Sequence, residues 1–111
     1  MANAYKVLGQ ANLTAETLTD VYTVPASTET VISTIIIANL LGAANSFRIA
    51  IRPNGAAVSN QHYMAYDVPI AANDSTTLTL GVTLDAADVV SVYSGAAADV
   101  SVSIFGTEIT A

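Results

Sequence analysis

Few side chains in this sequence are of a type that does chemistry, and their spacing suits it poorly. His62 is the one histidine, and there is no cysteine. A zinc site needs three or four nitrogen, sulfur or carboxylate donors, and an activated serine needs a histidine and an acid arranged with it. Neither set can be assembled here, so His62 reads as a polar structural residue. Asp74, Asp85 and Asp88 are oxygen donors of the kind that hold calcium. However, Asp85-Ala86-Ala87-Asp88 lacks the dense acids and the glycine of a calcium loop, and turn residues bonding their own backbone is the favoured reading. Asn12-Leu13-Thr14 and Asn73-Asp74-Ser75 match the glycosylation pattern, with no export signal to support it. Tyr63 and Tyr66, beside His62 and Asp67, are spaced for a sugar-binding platform, and equally for the edge of a core or an interface. Arg48 and Arg52 would share one strand face, ~13 Å apart. Their partners are acids of the same chain or, in a sharper reading, Asp67 or Glu108 of another subunit. No catalytic residue, metal ligand set or cofactor is expected, so the chain reads as no enzyme.

Composition narrows the function classes. Nine acidic residues stand against Lys6, Arg48 and Arg52, for a net charge of -6. Phosphate neutralisation needs a basic patch, and anionic lipid needs one too, so nucleic acid and membrane are not expected partners. Charged residues make up 11% and hydrophobic ones 52% of the 111, against ~25% charged in an ordinary soluble domain. So uncharged a surface suits contact with neighbouring subunits. The opening Met-Ala-Asn-Ala-Tyr-Lys has no charged region followed by an apolar one, which predicts synthesis in the cytoplasm without export.

The elements that must position these residues read as strands. Thr30 to Asn39 holds no charge and is rich in β-branched residues. In strict alternation, Val31, Ser33, Ile35 and Ile37 face one way and Ile32, Thr34, Ile36 and Ala38 the other. Both rows are apolar, which predicts a central strand with a core on one side and a subunit or a loop on the other. Tyr5–Gln10, Leu18–Val24, Ser46–Arg52, His62–Val68 and Thr76–Val82 alternate as further strands between Gly, Pro, Asn and Asp turns. In Ser46–Arg52, Phe47, Ile49 and Ile51 are expected inward and Ser46, Arg48, Ala50 and Arg52 outward. Val89–Tyr93 and Val100–Phe105 read as a hairpin. The sum is one domain over 1–111: an all-β, antiparallel β-sandwich of about eight strands in jelly-roll or Ig-like order. Residues 1–4 are expected to form a free N-terminal arm.

Tyr5-Lys-Val-Leu-Gly-Gln10, Leu18-Thr-Asp-Val-Tyr-Thr-Val-Pro25, Val31-Ile-Ser-Thr-Ile35 and Phe47-Arg-Ile-Ala-Ile-Arg-Pro53 together resemble a group of small structural proteins of tailed bacteriophages. The likeness continues through Gln61-His-Tyr63, Tyr66-Asp67 and Ser103-Ile-Phe-Gly-Thr-Glu-Ile109. It implies a part of a virion and carries over no catalytic residue. The leading expectation is a capsid decoration (cement) protein. Such a protein would be a homotrimer bridging subunits of the major capsid protein, made in the host cytoplasm and located in the virion. A tail or fibre-adaptor protein contacting tail proteins is the alternative, and a glycan-binding module the third. Interface candidates are Ala2, Tyr5, Lys6, Ile32, Ile36, Arg48, Arg52, Tyr63 and Tyr66.

Overall fold

The computed structural model describes residues 2–95 and 97–110. Its strands are β1 (Ala2–Leu13), β2 (Leu18–Thr23), β3 (Thr28–Asn39), β4 (Asn45–Arg52), β5 (Tyr63–Ile70), β6 (Ser75–Leu84), β7 (Val89–Ser94) and β8 (Val100–Thr110). All pair antiparallel, in two four-stranded sheets of order β1-β8-β3-β6 and β2-β7-β4-β5. Each strand of the first half pairs with its mirror in the second: β1 with β8, β2 with β7, β3 with β6, β4 with β5. Only the β4–β5 connection stays within one sheet. This is the strand order of a jelly roll, one long ribbon wrapped into a sandwich.

One core fills the space between the sheets. Ile32, Ile35, Ile37, Phe47, Ile49, Val90, Val92 and Ile104 are fully buried in it. The first three break the alternation expected of β3, because Ile32 and Ile35 differ in parity yet both point inward. The cause is a bulge. Between Ile32 and Thr34 the register slips, with Ile32 opposite Gly106 and Thr34 opposite Phe105 on β8. Ser33 is the extra residue, and it swaps the inward row from even to odd numbers. The apolar look of both rows therefore comes from one inward row changing phase. Strand β3 is central, as expected, but its outer row is the milder set Val31, Thr34, Ile36 and Ala38.

Gly106 sits at that bulge for a steric reason. A side-chain carbon there would overlap the carbonyl oxygen of Val31 and press on the backbone of Ile32.

Two further expectations are corrected. Strands β7 and β8 do not form a hairpin; they lie in opposite sheets. Their valines meet across the core, which the alternating pattern describes equally well. Residues 2–4 are not a free arm: Ala2, Asn3 and Ala4 are ladder partners of Thr110, Ile109 and Glu108, while Met1 lies outside the described residues. Residues 2–7 are exposed on both faces, so no buried row marks them as strand. Ala50 does share the outward row of Arg48 and Arg52, but it is fully buried there, as is Ser91 opposite it on β7. The Arg52 side chain runs across Ser91 on that outer face.

Candidate functional site

Two outer sheet faces and one end of the sandwich collect the residues singled out above. The outer face of β1-β8-β3-β6 is the plainer. Its rows follow from register: Tyr5, Thr107, Val31, Thr83; then Val7, Phe105, Thr34, Thr79; then Gln10, Ser103, Ile36, Thr77; then Asn12, Ser101, Ala38, Ser75. None of these side chains is charged. A fifth row, Asn3, Ile109 and Glu29, carries one charge at the end of this face, and Asp85, just past β6, lines the same hollow as Glu29 and Ile109. Tyr5 is 81% exposed, and Val7 and Val31 are also open to solvent. Ile36 is half-buried here, but Ile32 is wholly inside and belongs to no outer surface.

Lys6 points the other way, into the end of the sandwich. Its Nζ lies 2.7 Å from Glu108 Oε1. Tyr22 Oη donates to Glu108 Oε2 at 2.6 Å and sits 2.8 Å from Thr30 Oγ1. Each oxygen of the buried carboxylate thus has a donor. The hydrogen bond from Lys6, then that from Tyr22, holds Glu108 below the usual carboxylate range. Burial, then the bond to Glu108, pushes the Tyr22 hydroxyl up to about 12. This network is a buried clamp across β1, β2, β3 and β8.

The outer face of β2-β7-β4-β5 holds both arginines. A bulge in β5 sets two residues, Tyr66 and Asp67, against Arg48 alone, between the pairs Phe47–Val68 and Ile49–Ala65. Asp67 adopts φ +51°, a left-handed conformation that Asp tolerates better than most residues. The bulge aims both side chains at one guanidinium. Arg48 Nε donates to Asp67 Oδ1 at 2.6 Å and Nη2 to Oδ2 at 3.4 Å. The guanidinium carbon sits 4.1 Å from the Tyr66 ring centre and 4.2 Å from that of Tyr93. Arg48 is therefore stacked between two rings and pinned by a carboxylate, and the Asp67 bond raises its pKa further. Tyr63 meets Tyr66 edge-on, with centres 4.9 Å apart and planes at 84°. A groove of ≈ 460 Å³ runs past Asn60, Tyr63 and Tyr66.

Arg52 is spent on structure. It donates to Ser91 Oγ at 3.1 Å, to Asp20 Oδ1 at 2.7 Å, and to the carbonyls of Gly55 and Ala56 at 3.2 and 2.9 Å. Ser91 also donates to Asp20 at 2.7 Å. That bond, and then Arg52, lowers the Asp20 pKa against the opposing effect of burial. All three basic side chains thus pair within the chain: Lys6 with Glu108, Arg48 with Asp67, Arg52 with Asp20.

The other candidates are turn residues. His62 Nδ1 accepts from the Ser59 N–H at 3.1 Å and closes a short 3-10 turn. Asp88 accepts from the N–H groups of Asn54 and Asp85, Asp85 from Ala86, and Asp74 from Ser75, each at 2.8 Å. Among the described residues, no three His, Asp or Glu side chains are grouped to hold a metal ion. Asn12 donates to Ser101 Oγ at 3.2 Å on the neutral face.

Sequence reasoning missed Tyr93, Tyr22 and Asn60. Tyr93 and Arg48 are distant in the chain and meet only through the β4–β7 register. Comparison with protein-family models, with curated proteins and with solved structures gives no match.

Proposed function

We propose that this chain is a non-enzymatic structural protein of a bacteriophage particle. In this reading it is a decoration protein that sits on the head as a homotrimer and bridges copies of the major capsid protein. It would be made in the host cytoplasm and end in the virion. The observation that carries the reading is the outer face of β1-β8-β3-β6, four rows of it uncharged, with Glu29 and Asp85 at one end. Four strands ~4.8 Å apart and five side-chain rows ~6.8 Å apart cover ~650 Å². A stable interface takes about 800 Å² from each partner, so this face nearly suffices alone. Strand β1 adds to it. It is an edge strand of twelve residues with no proline, and its one lysine is turned inward to Glu108. Free edges of this kind are ready to pair with another sheet. With Lys6, Arg48 and Arg52 paired inside the chain, attachment would rest on backbone pairing and Tyr, Thr and Val packing, multiplied over a repeating lattice. The sequence likeness to phage structural proteins supplies the particle.

The test is to purify the particles and count this protein in them, then locate its density by electron cryomicroscopy. Many copies spread over the head support the reading. A few copies at one vertex would move the protein to the tail, and absence from the particle would refute it. Tyr5→Asp, on the exposed part of this face, should strip the protein from heads while the free protein keeps its melting temperature.

A further inference from the structure

We infer that the corner between Tyr63 and Tyr66 is a binding site for a neutral saccharide. It does not rest on the particle assignment, because it uses the opposite face of the sandwich. Tyr66 is 55% exposed, which is unusual for a ring held so firmly. Arg48 lies against it at 4.1 Å and is itself backed by Tyr93 and locked by Asp67. Tyr63 fixes it from the side at nearly a right angle. The ring loses little freedom when a ligand arrives, so binding costs little ordering. Two perpendicular rings form a platform and a wall, and Asn60 lines the same groove with an amide that both donates and accepts. The groove is open and lined by Asn60, Tyr63 and Tyr66, so a ligand there would rest on the rings with its other side in water.

The chemistry selects the ligand. A ring face is electron-rich and attracts the weakly positive C–H groups of a sugar face. The amide of Asn60 then matches a hydroxyl pair. Charge argues against an acidic ligand: Arg48 is neutralised by Asp67, and the chain carries -6 overall. A flat aromatic would use the rings and leave the amide unpaired.

The test is titration of the full chain, followed by the NMR shifts of the Tyr63 and Tyr66 ring protons. The probes are the methyl glycosides of glucose, galactose and mannose, with sialyllactose as the acidic comparison and indole as the flat apolar one. The proposal expects saturable shifts with at least one neutral glycoside, with Kd on the order of 1–10 mM for a single ring. Tyr66→Ala should weaken binding about tenfold or more, Tyr66→Phe should preserve it, and Asn60→Ala should weaken it severalfold. Asn60 is exposed in the β4–β5 connection, so its variant stays informative if Tyr66→Ala fails to fold. No saturable shift with any neutral probe would overturn the proposal. So would unchanged binding in Asn60→Ala, or preference for sialyllactose or indole.

Discussion

Replacing Tyr22 with Phe removes one hydroxyl from the clamp around Glu108 and leaves the ring in the core. The hydroxyl donates to Glu108 at 2.6 Å and touches Thr30, which is 1% exposed. A hydrogen bond to a charged group is worth about 1.5–3 kcal/mol, against about 0.5–1.5 for a neutral pair. Lys6, half-exposed, cannot compensate, since an ion pair of that exposure contributes only about 0.2–1 kcal/mol. At pH 7 the variant should therefore lose about 1.5–3 kcal/mol. The loss should depend on pH. The Glu108 pKa is lowered in the folded state, by Lys6 first and Tyr22 second. Its stabilisation is thus complete above the unfolded value of about 4.3 and is lost as pH falls through the lower folded value. Urea unfolding of both proteins, followed by circular dichroism at pH 7 and pH 2.5, measures the gap. It should shrink at the acid end to that of a neutral hydrogen bond. A gap equally large at both pH values, or under about 0.5 kcal/mol at pH 7, would mean that the carboxylate is not what Tyr22 stabilises.

The bulge at Ser33 predicts that Ile32→Ala costs about 2–5 kcal/mol, whereas Ile36→Ala costs about 1 kcal/mol or less; thermal unfolding of the pair compares them directly, and equal losses would refute the phase change. Gly106→Ala should cost more than about 1 kcal/mol or prevent folding, because the Val31 carbonyl occupies the space of the new methyl; urea titration reads it. Arg52→Ala removes four hydrogen bonds, and since Asp20 is largely exposed the expected loss is about 2 kcal/mol, with earlier proteolysis in the β4–β5 connection.

All eight strands were legible as alternating runs between turn residues, and so was the sandwich. The choice of jelly roll over Ig-like order was not, because pairing partners are set by contacts between residues far apart in the chain. Val89–Tyr93 and Val100–Phe105 show the limit well. Two inward rows of valine look alike whether they share a ladder or face each other across a core. Bulges were the other blind spot. Ser33, Leu8 and Val21 each shift a strand by one residue, and a period of two has no way to announce where it will slip. Of the candidate sites, the tyrosines and arginines are visible as types, but the sequence offers Asp67 only as a partner from another subunit, whereas it pairs with Arg48 of its own chain. That Arg48 itself would be stacked between two rings depended on a β5 bulge and on Tyr93, three strands further along the chain.

The place of β8 between β1 and β3 bears on how the chain is made. On a ribosome, β1 and β3 emerge early but are not neighbours; the slot between them is filled only by Val100–Thr110. Until β8 is available, Val102 and Ile104 are missing from the core and two strands lack their partner. Synthesis runs at ~5–20 residues per second, so the nascent chain spends several seconds with apolar strands uncovered. Folding is then a single event closed by β8, slow because nearly every contact joins distant parts of the chain. A chain cut short by even one strand should aggregate rather than fold in part.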